Sequence, residues 1–375
     1  ENAVFGDYCT LEHPLWFAPQ GTPAKEDATF RRSNAHPHVA EECRAVRESC
    51  GLIEISNYGK FEITGPGAAD WLSIIMACKV PAVGRIALSP MLNDRGRLIG
   101  AFTLCRVADE RFFVVGTYAA EVFYLRWFEQ HLPPTGVSVR PCAMEYLGLS
   151  VAGPESRAVL QKLVDHDLST AAFPFMSFAQ MDVGMVPALV GRVSFTGEMG
   201  YEMWVTSEYL RTLYDLLHDA GRTHGLKNFG GRALNSLRLE KSFGNWAREF
   251  RPIYGPYEAG LGRFVHLDKP DFIGKAAAAA EKASGGVRKL ITLAVNAKDA
   301  DAIGDEPIWH GDKVVGWVTS GGYGHTVGKS IALGYVDNAV VAETAGFAVE
   351  LMGERRAAVR SAGALFDPAG LRMRA

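Results

Sequence analysis

The sequence predicts an α+β fold with a β-rich second domain, and three observations carry that expectation. Strand and helix patterns alternate irregularly over the first 286 residues, with hairpin turns between strands, which suits antiparallel sheets better than a doubly wound sheet. No G-x-G-x-x-G opens a helix after a strand, so no Rossmann nucleotide site is read. From residue 287 onward the chain is a run of short strands and turns.

Residues 1–35 read as irregular, because HPLWFAPQGTPAKEDATF sets Pro and Gly close together. The aromatics of that stretch need a surface to pack on, so it is expected to drape over another domain or a partner. A helix is predicted from about Val39 to Ser49, closed by Gly51. GKFEITG alternates as a strand, and GAADWLSIIM follows as a helix with Trp71, Leu72, Ile75 and Met76 on one face. GRLIGAFTL is a turn at Gly96, after Asn93, Asp94 and Arg95, then a buried strand. ERFFVVGT is a strand, AAEVFYLRWFEQHL a helix, YLGLSVAG a strand and SRAVLQKLV a helix. VPALVGRVSFTGEMGYEMWV reads strand, turn, strand, and two helices follow in EYLRTLYDLLHDAGRTHG and GGRALNSLRLEKSFG. Residues 274–286 read as a helix that ends in a linker, and beyond it KLITLAV, PIWHGDKVVGWVTSG, SIALGYV, FAVEL and RAAVR are strands.

The chain has 375 residues, 48% hydrophobic and 22% charged, with a net charge of −3. That balance argues against nucleic acid or an anionic membrane as the main partner. No stretch approaches the ~20 apolar residues of a membrane span. The six cysteines, Cys9, Cys43, Cys50, Cys78, Cys105 and Cys142, form no CxxC pair. They predict buried thiols in a reducing compartment, the cytoplasm or, in a eukaryote, the mitochondrial matrix. His36–His38 (HPH) has no ligand set around it, so it reads as a solvated loop and no metal is expected. Gly328-Lys329-Ser330 resembles the end of a phosphate loop, but the required earlier glycine is Tyr323 and a strand follows, so it reads as a hairpin.

SFTGEMGYEMW carries more chemistry. A strand rising from its glycine turn puts Gly200 and Glu202 on one face and Tyr201 and Met203 on the other. A carboxylate held there suits bidentate recognition of an N–H/NH2 edge, such as an aminopyrimidine; the alternative is a solvated hairpin tip. In NSLRLEKSFG, Arg238 among apolar neighbours needs an anion or a ring to stack on, or else forms an intrahelical pair with Glu240 or a capping contact.

Together GKFEITGPGAADWL, GLSVAGPESRAVL, SFTGEMGYEMWV, LNSLRLEKSFGNW, YEAGLGRFVHLDKPDFIGK and GWVTSGGYGHTVGKSIALGYV resemble, in order, the aminomethyltransferase (glycine-cleavage T-protein) family. HPLWFA, FRRSN, LRWFE and LRLEKSF resemble its dimethylglycine and sarcosine dehydrogenase branch, in the C-terminal folate-binding part. The resemblance covers nearly the whole chain. It implies a cloverleaf-like folate-binding body at residues 36–286, after an extension or connector at 1–35, and a C-terminal β-barrel at 287–375.

It further implies tetrahydrofolate as cofactor and a small methylated amine as carbon source. FAD is implied only on a fused or partner oxidoreductase, which oxidises the amine to an iminium; this chain captures the carbon as 5,10-methylenetetrahydrofolate, away from hydrolysing water. The opening ENAVFGDYCTLEHPLWFA resembles the connector that follows the flavin domain, implying a fragment or a split subunit. Glu202 matches the acid that holds the pterin edge, and Arg238 an arginine near the folate. Phe195, Glu198 and Tyr201 complete the implied folate set, with Phe195 replacing a tyrosine. The family's catalytic Asp falls on Ala101, which can neither polarise a folate nitrogen nor hold a developing cation. Glu198 and Asp94 are the acids within the motifs nominated to replace it. Two other readings stand beside this one: a folate-dependent O-, S- or N-demethylase, and a folate-binding or docking module without turnover.

Overall fold

The structure, a computed structural model, describes every residue except Cys9 and Thr10, and Tyr8 by its backbone alone. The expectation for Cys9 lies outside the described residues. The chain opens on a hairpin, β1 (Ala3–Tyr8) and β2 (Leu11–Phe17), where irregular structure was expected. Pro14 sits where the ladder shifts register between Val4 and Phe5, so the strand tolerates its missing N–H. The hairpin lies on the body as the aromatics required: Trp16 is fully buried, and the Glu42 carboxylate accepts from the amides of Phe17 (2.7 Å) and Gly230 (2.9 Å). Gly230 has to be glycine, since a Cβ there would stand 2.2 Å from the Leu15 carbonyl oxygen.

Helix α1 (His36–Glu48) starts before the predicted position. The HPH stretch is its first turn, not a solvated loop: proline is favoured there because its missing N–H would have no helical acceptor. His38 stacks on Trp16, and His36 packs against Tyr323 and His325. Gly51 does not close this helix; it lies in β3 (Cys50–Glu54), and Ser49 is the cap residue.

The body continues through β4 (Tyr58–Thr64), α2 (Ala68–Ile75), β5 (Ile86–Leu92), β6 (Leu98–Ala108), β7 (Arg111–Thr117), α3 (Glu121–His131) and β8 (Ser138–Pro141). Then come β9 (Tyr146–Ala152), α4 (Ser156–Gln161), β10 (Phe178–Val183), β11 (Val186–Gly191), β12 (Gly200–Thr206), α5 (Leu210–Gly221), β13 (Leu226–Asn228) and α6 (Gly231–Glu240). Two sheets result, β5-β6-β7-β4-β8 and β10-β11-β12-β9-β3-β13. All their pairings are antiparallel except β3 with β13, consistent with the α+β reading.

Each sheet buries one face under helices. Phe61, Ile63, Phe102 and Leu104 pack on Trp71, Leu72, Tyr124 and Phe128 of α2 and α3. Tyr201, Met203 and Val205 pack on Val159, Leu160, Leu213 and Leu217 of α4 and α5. Fully burying side chains of this size contributes about 1.5–3 kcal/mol each. The remaining faces meet in an inner layer that holds Ile53, Cys105, Phe113, Val115, Phe178, Leu189 and Trp204.

After α7 (Lys275–Ser284), two left-handed glycines, Gly285 and Gly286, lead into the barrel. Its strands are β14 (Arg288–Val295), β15 (Pro307–His310), β16 (Lys313–Gly324), β17 (Lys329–Asp337), β18 (Phe347–Leu351) and β19 (Glu354–Arg360), closed in the order β14-β17-β16-β15-β18-β19. A short helix, α8 (Leu371–Arg374), returns to the body.

Candidate functional site

The candidate site lies in the inner layer, and strand alternation on β12 builds it. Trp204 points inward while Tyr201, Met203 and Val205 point outward, so Glu202 shares the inward face. Glu202 is flanked by Gly191 on β11 and Ser150 on β9. It is half-buried, and no hydrogen bond or ion pair holds its carboxylate among the described residues. Burial pushes it up to about 8. Cys105 on β6 is its neighbour: burial first, and the Glu202 charge second, hold that thiol well above its ordinary range. Once ionised, a carboxyl so placed is a pair of acceptors, and a planar N–H/NH2 edge supplies the donors that would favour its charged form.

Ala101 sits on the same strand as Cys105, four residues away and on the same face, hence about 13 Å along β6. It pairs with Pro90, which carries no polar side chain. Asn93 shapes the turn before it, accepting at its Oδ1 from the amides of Arg95 and Arg97, while Gly96 adopts φ +69°. Asp94 is exposed at that turn. A register shift at Met91/Leu92 leaves Ile99 as an extra residue on β6, and the Trp246 indole N–H donates to its carbonyl at 2.9 Å. Such bulges re-aim the strand that follows.

Among the described residues no hydrogen bond or ion pair joins Glu202 to the other predicted residues. Tyr201 is fully buried in the opposite, helix-covered layer, since alternate residues of a strand face opposite ways. Glu198 is committed to cations: it accepts from Arg47 Nη1 at 2.8 Å and from Arg372 Nε at 2.7 Å. The exposed Asp94 and the ion-paired Glu198 are therefore poorly suited to replace an acid at position 101. Arg238 is buried and has its anion in Glu249, 3.5 Å away; it also donates to the Asn235 side chain and the Phe243 carbonyl. Phe195 stacks on Phe243, with ring centroids 5.7 Å apart. Arg238 thus meets Phe195 through the segment Ser242–Phe250, which sequence reasoning did not single out, although LRLEKSFGNW contains Phe243 and Trp246.

Lys60 was also missed. It is fully buried, donates to the Ser56 carbonyl at 2.8 Å and lies over the Trp204 ring, and burial lowers it to about 8. A lysine in an alternating apolar strand was its only sequence signal. The Gly328-Lys329-Ser330 stretch does belong to the β16–β17 hairpin, and the preceding amides of Thr326 and Val327 donate to the Glu240 carboxylate rather than to a phosphate. Cys43, Cys50, Cys78, Cys105 and Cys142 are buried free thiols; burial pushes Cys43, Cys50 and Cys142 up to about 12. Among the described residues no three His, Cys, Asp or Glu side chains gather as a metal site, and no helix is long and apolar enough to cross a membrane.

Comparison with known proteins agrees with this architecture. Residues 1–269 match the GCVT N-terminal domain family, and residues 288–367 the glycine cleavage T-protein C-terminal barrel domain. The chain is 38% identical over 352 residues to mitochondrial dimethylglycine dehydrogenase of Mus musculus, covering 93% of this chain and 40% of that protein. It is 30% identical to an aminomethyltransferase of Desulfitobacterium hafniense, covering 80% of this chain and 81% of that one. The crystal structure of the glycine cleavage system aminomethyltransferase T from Bartonella henselae shares the fold, with a TM-score of 0.84 at 23% identity over 98% of this chain and 95% of that one. With both halves of the family pattern matched in order on one α+β body and one closed barrel, the chain belongs to the aminomethyltransferase (glycine-cleavage T-protein) family.

Proposed function

We propose that this chain binds tetrahydrofolate and uses it to capture a one-carbon unit from an N-methylated amine of the dimethylglycine or sarcosine type, beside a flavin-dependent dehydrogenase domain or subunit. The observation that carries the reading is the Glu202 carboxyl, turned into the inner layer with no donor to it among the described residues. It fits the pterin edge, where an N–H and an NH2 lie side by side. When bound, tetrahydrofolate supplies the nitrogens that take up the carbon as 5,10-methylenetetrahydrofolate. The chain's own residues bind and exclude water: Glu202 orients the pterin, the Phe113, Phe178 and Trp204 rings make the layer apolar, and Phe195, stacked on Phe243, stands on the same turn-to-strand segment as Glu202.

Support for the amine branch comes from dimethylglycine dehydrogenase, of which this chain spans 40%; FAD belongs to the partner portion in this reading. A mitochondrial relative suits the matrix, and a bacterial aminomethyltransferase suits the cytoplasm. Residues 1–35 act as connector, 36–286 as folate body and 287–375 as barrel.

Calorimetry with tetrahydrofolate tests the binding. Glu202→Gln, which leaves the carboxylate's space filled, is expected to weaken affinity by about 2–5 kcal/mol; unchanged affinity removes Glu202 from the pterin role. Ala101 favours a second reading, in which the chain binds folate without turnover, because no acid stands at that position.

A further inference from the structure

The first turn of α1 meets the barrel through a cluster of rings, and Tyr323, near the end of β16, is its hub. Between centroids, the His36 ring lies 5.0 Å from Tyr323 and 4.7 Å from His325, and His325 lies 5.1 Å from Tyr323. The Arg32 guanidinium stands 4.2 Å from the centroid of the same tyrosine. Both histidines are half-buried. One arginine and two imidazoles, each able to carry positive charge, are thus packed around one ring.

The acids that face this cluster are already engaged. Both oxygens of Asp301 accept from Arg32, one from Nη2 at 2.8 Å and the other from Nε at 2.9 Å. Asp299 pairs with the exposed Arg31, and its carbonyl accepts from the Arg32 amide at 2.8 Å. Glu26, on the same N-terminal segment, accepts from Trp16, Ser33 and Arg232. At the hairpin tip, Glu240 of α6 accepts from the Thr326 and Val327 amides and pairs with Arg47, whose Nε donates to the Thr326 hydroxyl. The backbone around His325 is pinned to α6: its amide donates to the Ser236 hydroxyl at 3.2 Å, which in turn donates to the Tyr323 carbonyl at 2.7 Å. His38 takes no part, since it stacks on Trp16.

Closed packing of this kind favours neutral imidazoles. Burial first, and His36 second, hold His325 down at about 4, against the pull of Asp301. Burial first, and Arg32 second, lower His36. Once the hairpin and the helix start part, both histidines regain the ordinary value of about 6.5. Groups lowered in the closed state stabilise it fully above that value and cease to do so as pH falls through the window below it. Each histidine there shifts the balance toward the open state by about tenfold per pH unit.

We propose that His36 and His325 form an acid-opened latch, which holds the N-terminal segment and the start of α1 against the β16–β17 hairpin at neutral pH and releases them when the imidazoles take up protons beside Arg32. Histidine clusters at packed junctions are suited to this use, because their charge changes in mild acid while the surrounding arginines and carboxylates keep theirs.

Hydrogen exchange of the full chain, corrected for the intrinsic effect of pH on exchange, reads the opening. The amides of Arg32 and His325 report it, since both are hydrogen-bonded across the junction. Their protection is expected to fall at least tenfold between about pH 7.5 and about pH 5.5, while the amides of β9 and β12 lose none. His325→Gln and His36→Gln should each reduce that fall at least threefold. His36→Gln changes only a half-buried side chain on the first turn of α1, so it keeps the test decisive if the His325 variant does not fold. Protection that stays level over this range in the parent chain overturns the proposal. So does a fall that a folded glutamine variant leaves undiminished, because the acid response then belongs to another group.

Discussion

Trp246 donates its indole N–H to the carbonyl of Ile99 at 2.9 Å, two residues before Ala101. One hydrogen bond thus ties the segment that carries Phe243 to the strand that carries Ala101. Trp246→Phe keeps the ring and removes the donor. The variant should lose about 0.5–1.5 kcal/mol in chemical denaturation, the net worth of such a bond. A loss below that range means that ring packing against Phe123 and Tyr124, not the bond, holds the segment.

Restoring an acid tests the chemistry directly. With a flavin dehydrogenase portion supplying the oxidised amine, Ala101→Asp should raise 5,10-methylenetetrahydrofolate formation about 100-fold, the lower range for a positioned acid or base. Tetrahydrofolate affinity should barely change. If the parent chain already transfers at the variant's rate, the carboxylate is dispensable and the carbon is captured without it.

The Glu202 carboxyl also makes stability depend on pH. Burial raises it from 4.5 to about 8, and Glu42 from 4.5 to about 7, so between those limits the native chain holds protons that the unfolded chain has lost. Stability therefore falls as pH rises through that window. Glu202→Gln should be more stable than the parent at pH 8, by up to a few kcal/mol, and little different at pH 4. Equal pH slopes in urea denaturation for the two proteins would show that the carboxyl is solvated.

Arg47 neutralises two buried carboxylates at once, Glu198 and Glu240, each at 2.8 Å. Arg47→Met would leave Glu240 with only the amides of Thr326 and Val327 and Glu198 with only Arg372, and should cost about 3–5 kcal/mol. Arg372→Met, on a 41% exposed side chain, should cost clearly less because Arg47 still faces Glu198. Both are read from denaturation midpoints.

How much of this was legible depended on range along the chain. The face of Glu202 followed from the two-residue period of a strand, and a β-rich second domain from closely spaced strand patterns, while its closure into a barrel was implied only by the family resemblance. The first turn of α1 was misread because His36-Pro37-His38 has a proline, which marks both loops and helix starts. The N-terminal hairpin was missed because Pro14 argues against a strand, and only the register shift makes room for it. Partners far along the chain were out of reach: Glu198 finds Arg47 and Arg372 at separations of 151 and 174 residues. Arg238 shows the limit of local reasoning, for an anion was anticipated but Glu249, on an irregular segment, was not.

The charged centre that joins α1, α6, the β16–β17 hairpin and α8 also orders the birth of the fold. During synthesis Glu198 is made long before Arg372, which reaches back 325 residues to the Arg47 carbonyl as well. Until that late arginine arrives, the body carries a half-satisfied carboxylate in its interior. Contacts of such separation are slow to form, so the nascent body is expected to wait in a looser state and to tighten only as the last helix docks.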